Sequence, residues 1–315
     1  MIKEGVNPQE KEVADQEEYT SRILLHFIRH GQKESIEGKP NFEMRLTEEG
    51  KQQSIDKGRK REVASPTAMA YGSKMVRSQE EAIFEWLAAA GVEDLSVKES
   101  YEDMKVKVNQ GLGYGSRVGV DKRLGFKEEP AFQKLSEEAY NKKEGLKFMV
   151  EKSDDIVKDQ KDKTSTSYSR VSAQIAQVLE KYSQMAPQWG KLVKVKENEY
   201  GKVLERFMGS HSGVIDVFLC KLVEKIKKNE GKGERDKLIA ALNNQGFDFT
   251  EGFDIEIDMK KDSKEPEIKI KYNKQDAEGK ELFTFNEVIT QEVLDDIIGD
   301  GDKLNKSIEE SESND

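Results

Sequence analysis

Apolar residues in this chain fall into two kinds of run. Short runs rich in apolar residues predict buried strands: Ile23 to Ile28, Pro66 to Gly72, Leu95 to Val97 and Val203 to Met208. Runs at helical spacing predict amphipathic helices. One follows Thr47, a good N-cap, to about Arg61. A second spans about 77–90, with Ala82, Ile83, Trp86, Leu87 and Ala90 on one face and Gly91 as its cap. A third, 165–185, carries Val171, Ile175, Val178, Leu179 and Tyr182, and a fourth spans 214–228. Leu192 to Val195 reads as a short extended piece.

Strict alternation appears later. Phe253, Ile255, Ile257 and Met259, then Ile268, Ile270 and Tyr272, flank a charged turn, which predicts a hairpin at about 252–273 with one buried face. A last helix is expected over 286–298, followed by a disordered acidic tail, 299–315. Residues 1–20 are polar and read as a flexible arm. Over 104–163 the pattern degrades. That stretch reads as an insertion or cap over the sheet edge, helical at 131–150, around one domain spanning 21–298. Its Gly-rich piece, Gly111 to Gly115, is no dinucleotide fingerprint, because no strand precedes it and no helix start follows.

Composition narrows the function. Charged residues make up 36% of the 315, with a net charge of −10. That acidity argues against nonspecific nucleic-acid or anionic-membrane binding. A protein of this charge that binds an anion must concentrate its cations locally. Cys220 is the one cysteine, so no intramolecular disulfide forms, and a reducing, cytoplasmic location is expected. No apolar run is long enough for a membrane span, and residues 1–18 lack the apolar centre of a secretory signal.

Chemistry gathers where strands end. The first strand closes on Arg29-His30-Gly31, and in open α/β sheets ligands bind beyond the carboxyl ends of the strands. His211 follows the 203–208 strand in Gly209-Ser210-His211-Ser212-Gly213, and Arg77 follows the strand that ends at Gly72-Ser73. Parallel pairing would bring Arg29, His30, Arg77 and His211 to one rim, a set suited to a phosphate group. His26 lies inside the first strand and reads as structural. Three separated histidines and one cysteine make no metal site, and no cofactor is expected.

Taken in order, these segments resemble the histidine phosphatase superfamily, also called the phosphoglycerate mutase-like family. Phe27 to Gln32 resembles its signature strand and turn. Leu46-Thr47-Glu48-Glu49-Gly50 resembles the opening of its first helix, and Ser73 to Ser78 its Ser-x-x-x-Arg-Ala segment. Gly209 to Ile215 resembles its second-histidine segment, and Arg170-Val171 also fits. The resemblance covers about 22–100 and 165–225. It implies a three-layer α/β/α sandwich with a mostly parallel central sheet. It implies phosphomonoester hydrolysis without a metal, through a phosphohistidine on His30. Arg29, Arg77, His211 and Gln32 would bind the phosphate of a small phosphorylated substrate. The catalytic acid expected soon after the third strand is Glu99, with Glu102 and Asp103 as alternatives. Ser212 stands after His211 where one branch has Asp, which disfavours a His-Asp acid. Lys33 stands where the family often has Thr or Ser. Residues 97–110 do not reproduce the stretch around the catalytic Glu of the glycolytic mutases, which favours hydrolysis. A phosphomutase and a phosphate-binding regulatory protein without turnover are the alternatives.

Overall fold

Seven strands pair into one sheet in the order β3-β2-β4-β1-β5-β6-β7. The computed structural model describes residues 19–111 and 117–312. The sheet has a parallel core: β1 (Tyr19–Arg29), β2 (Met69–Gly72), β3 (Val118–Val120) and β4 (Val203–Ser210). An antiparallel extension follows: β5 (Gly252–Lys260), β6 (Glu267–Gln275) and β7 (Glu281–Ile289).

Helices cover both faces. On one lie α1 (Glu48–Gly58), α2 (Val76–Ala89) and α3 (Tyr101–Gly111), over a core containing Ile28, Ala70, Ile83, Phe84, Trp86 and Phe207. The other face carries α7 (Tyr168–Tyr200), α8 (Ile215–Ile226), α9 (Gly231–Ala241) and α10 (Gln291–Glu312). Its core includes Ile23, Leu25, Phe27, Val171, Ile175 and Leu179. Alternate β1 side chains therefore serve opposite cores, as the period of 2 along a strand requires. Three further helices, α4 (Pro130–Asn141), α5 (Gly145–Glu151) and α6 (Ser153–Asp159), fill the stretch read as a cap. This is the expected three-layer α/β/α sandwich. Among the described residues no helix is long and apolar enough to cross a membrane.

Register places the site. Arg29 pairs with Ser210, Gly72 with Gly209, and Gly72 with Val120. The residues just after β1, β2, β3 and β4 therefore emerge along one rim. Close backbone approach tightens that rim. A Cβ on Gly209 would sit 1.8 Å from the Ser78 carbonyl oxygen, and one on Gly72 would sit 2.6 Å from Gln79. Only glycine lets the first turn of α2 rest directly on β2 and β4.

Five expectations need correction. Leu95 to Val97 is loop. Leu95 and Val97 are half-buried against the α2–α3 core, and their burial needs no ladder. The third parallel strand is instead Val118–Val120, inside the stretch read as an insertion. Leu192 to Val195 belongs to α7, where Trp189 and Val193 continue the buried spacing. The segment 286–289 closes strand β7, with Phe283, Phe285 and Ile289 turned inward. The expected disordered tail is helical through Glu312. Leu294, Ile297 and Ile308 are fully buried, and Asp300 bridges Lys221 at 2.9 Å and Lys225 at 3.0 Å. Net acidity hid an amphipathic helix. Tyr19 and Thr20, assigned to the arm, are part of β1. The rest of the arm, most of the Gly-rich piece and the last three residues lie outside the described residues.

Candidate active site

His30 sits one step past β1, buried. Its Nδ1 lies 2.7 Å from the Gly31 carbonyl oxygen, so Nδ1–H donates there. Nε2 is then the lone-pair nitrogen, and it accepts from Arg77 Nε at 3.1 Å. Burial, and then the Arg77 charge, hold His30 well below the usual imidazole range, so the ring is neutral near pH 7. The turn beneath it is clamped. The Gly31 N–H donates to Glu81 Oε2 at 2.7 Å, and Ser54 Oγ donates to the same oxygen at 2.7 Å. A Cβ on Gly31 would meet the Gly50 carbonyl at 2.7 Å, so the turn and the start of α1 touch backbone to backbone.

His211 follows β4 and is also buried. The two imidazoles lie edge to face, with centroids 5.1 Å apart. Its Nε2 is 2.8 Å from Ser73 Oγ, while its Nδ1 is buried without a partner. Burial, and then the neighbouring His30 and Arg77, keep it well below the usual range.

The arginines are the unusual feature. Arg77, fully inside the protein, reaches the Asn41 carbonyl at 2.6 Å and the Met75 sulfur at 2.9 Å, but no carboxylate. Burial lowers it to about 10. Arg29 donates to the Phe247 carbonyl and lies over the Phe249 ring at 4.9 Å, and its Nε is buried without a partner. Neither makes an ion pair among the described residues. Buried guanidinium without a counter-ion is costly, and buried polar groups are normally satisfied. The arrangement calls for an anion between Arg29, Arg77 and the two histidines.

The cavity they line measures about 660 Å³. Gln32 and Lys33 are in its wall. The Gln32 amide oxygen accepts from Thr47 Oγ1 at 2.9 Å, and Lys33 Nζ approaches Asn41 Oδ1 at 3.2 Å. Phe126, Glu128, Tyr140 and Met149 also line it.

The acid is where the sequence reading fails. Glu99 does not line this cavity. Its carboxylate pairs with Lys107 at 2.8 Å, and its carbonyl accepts from Lys51 at 2.8 Å. Glu102 is exposed and pairs with Arg45 at 3.7 Å, and Asp103 bonds Ser100 of its own turn. The expectation rested on a third strand at 95–97; with β3 at 118–120, the residues that reach the rim are Asp121 to Glu129. Among them Glu128 lines the cavity, half-buried, and accepts from Ser136 Oγ at 2.8 Å. Burial raises its carboxyl above the usual range, against the lowering pull of Ser136. The signal that could have found it is Val118-Gly119-Val120, a β-branched pair about a glycine, hidden behind the Gly-rich piece.

No family model and no curated protein matches the chain. Among solved structures it is similar to a mycobacterial hydrolase, at 14% identity and a TM-score of 0.40, over 89% of this chain and 97% of that one. A second mycobacterial hydrolase aligns at 12% identity and a TM-score of 0.38, over 86% and 97%. A mycobacterial glucosyl-3-phosphoglycerate phosphatase aligns at 15% identity and a TM-score of 0.38, over 75% and 89%. With Arg29, His30, Arg77 and His211 gathered at one rim, the chain resembles the histidine phosphatase superfamily.

Proposed function

We propose that this protein is a phosphatase that hydrolyses small phosphomonoesters through a phosphohistidine on His30, without a metal ion. The observation that carries the reading is the neutral, Nδ1-anchored His30 whose Nε2 meets the buried Arg77, with half-buried Arg29 lining the same cavity and neither arginine in an ion pair among the described residues. His30 Nε2 attacks phosphorus while the P–O bond to the leaving group breaks. Arg29 and Arg77 hold the equatorial oxygens, where charge must be stabilised. With the His211 proton on Nδ1, Ser73 donates to Nε2 and the orphaned Nδ1–H is left for a phosphate oxygen. Gln32 and Lys33 flank the same group. Glu128, raised toward protonation, gives its proton to the leaving oxygen. As carboxylate it then takes a proton from the water that discharges phosphohistidine, and both groups return to their starting state.

The test is hydrolysis of para-nitrophenyl phosphate in EDTA, wild type beside His30→Ala. The expected result is turnover in the first, none in the second, and an acid-labile phosphoryl label on wild type alone. Equal turnover in both proteins would overturn the reading.

A further inference from the structure

Beside the catalytic cavity lies a second one, of about 510 Å³. It opens between the turn after β2, the connection from β3 to α4, the start of α7 and one face of α10. In a protein of net charge −10, its lining carries six cationic side chains and a single carboxylate, Asp302. Four of those cations, Lys74, Lys122, Lys127 and Arg170, make no ion pair among the described residues. Arg170 is buried, and its hydrogen bonds go to neutral oxygens, Asn305 Oδ1 at 2.7 Å and the Ser165 carbonyl at 2.7 Å, with Asp162 and Asp154 near enough to favour its charge but in no ion pair with it. Like charges held around one cavity repel one another unless an anion joins them.

The two cavities share a wall. Phe126 and Thr166 line both. Ser73, which meets His211, and Met75, which meets Arg77, face the basic cavity. The ridge between them is stiff: Lys127 N–H donates to Thr166 Oγ1 and Thr166 Oγ1 to the Lys127 carbonyl, each at 2.7 Å.

We infer that the basic cavity is a subsite for a second phosphate of the substrate, so that the preferred substrate is a small bisphosphate and not a simple monoester. This rests on the phosphatase reading of the neighbouring cavity. A scissile phosphate between Arg29 and Arg77 would place the rest of the molecule over Phe126 and Thr166. A second anionic group at its far end would then meet Lys122, Lys127 and Arg170. Charge-assisted contacts of this kind are the strong ones.

The test uses α,ω-alkanediol bisphosphates of increasing length as a ruler, beside alkyl monophosphates of matched length. Binding is measured by calorimetry on the full-length His30→Ala protein, so turnover does not enter. One chain length is expected to bind at least about tenfold more tightly as bisphosphate than as monophosphate. The Lys122→Ala/Lys127→Ala double variant, altered only at exposed side chains, loses most of that advantage, as does raising the salt. Equal affinity of the two series at every length would overturn the subsite. So would an advantage that survives the double variant. Free inorganic phosphate that binds alongside the monophosphate, with no gain for any bisphosphate, would overturn it in favour of a separate effector site. Hydrolysis of para-nitrophenyl phosphate by wild type is scored separately, so a failed subsite and a failed phosphatase reading are told apart.

Discussion

Two buried histidines stand four residues apart, one within β1 and one just past its end, and their surroundings treat them in opposite ways. His26 is held between Asp254 at 2.8 Å and Glu205 at 2.9 Å, with Arg61 bridging Asp254 and Glu85. Burial alone would lower it, but the bonds to Asp254 and Glu205 win and push it up to about 9. His30 meets a carbonyl, a guanidinium and a second imidazole, and falls well below its ordinary value. The first cluster contains its own counter-charges; the second gathers cations and leaves the anion to arrive from outside. A site whose charges are already balanced stabilises the fold, whereas one with unbalanced charges is built to bind. Buried clusters of the first kind punish the loss of one partner, and those of the second punish the loss of the reacting group.

The largest expected effect separates the two histidines by activity. His30→Ala should lower kcat by about four orders of magnitude, as removal of a nucleophile does, with the thermal midpoint nearly unchanged. His26→Leu should keep kcat within about twofold while lowering stability by about 3–5 kcal/mol, because Glu205 loses its buried cation. Urea denaturation and the para-nitrophenyl phosphate assay together read both variants. A His26 variant without activity but with normal stability would break the contrast.

The acid comes next. Glu128→Gln should cost about 10²–10³ in kcat on alkyl phosphates and much less on activated aryl phosphates, which need no proton. Glu99→Gln, tied to Lys107 outside the cavity, should leave both unchanged. A similar loss from both variants would restore Glu99 and remove Glu128.

The pH responses should then run in opposite senses. His26 titrates at about 9 in the fold against 6.5 unfolded, so it adds stability that is complete below pH 6.5 and is lost as pH rises from there through 9. His30 and His211 are depressed, so the stability of their neutral forms is present above pH 6.5 and is lost as pH falls below it. Activity should fail on the acid side as His30 protonates, and on the alkaline side as Glu128 ionises above its ordinary 4.5. Glu128→Gln should erase the alkaline limb alone. Denaturation midpoints and kcat/KM profiles across pH check each limb. The smallest effect expected is a rise of about three- to tenfold in KM for Lys33→Ala, with kcat nearly unchanged, since an exposed lysine adds binding more than transition-state contact. A matching fall in kcat would move Lys33 into the reaction itself.

Most of the central sheet was legible from the chain. Short runs rich in apolar residues mark β1 and β4, and Arg-His-Gly and Ser-His-Ser-Gly mark where they end. Alternation marks β5 and β6. What escaped is instructive. Val118–Val120 is three residues long, too short to outweigh the glycines before it. Phe283, Phe285 and Ile289 alternate, but charged neighbours blur them into the helix that follows. The last helix is expected to stop at about 298, but it runs on through Glu312, because the acidity of 299–312 outweighs the single buried apolar position at Ile308.

The sequence by itself determined which residues could react: three histidines, arginines at strand ends, and glycines where backbone meets backbone. Side-chain chemistry and local turn geometry are properties of a few consecutive residues. Only the tertiary structure decided which of two neighbouring histidines is charged, which of the 62 acidic residues line the phosphate cavity, and that unpaired lysines from distant segments share a second cavity. Those depend on strand order and register, which bring residues tens to hundreds of positions apart into contact, and on burial, which alone sets whether a charge is balanced or waiting.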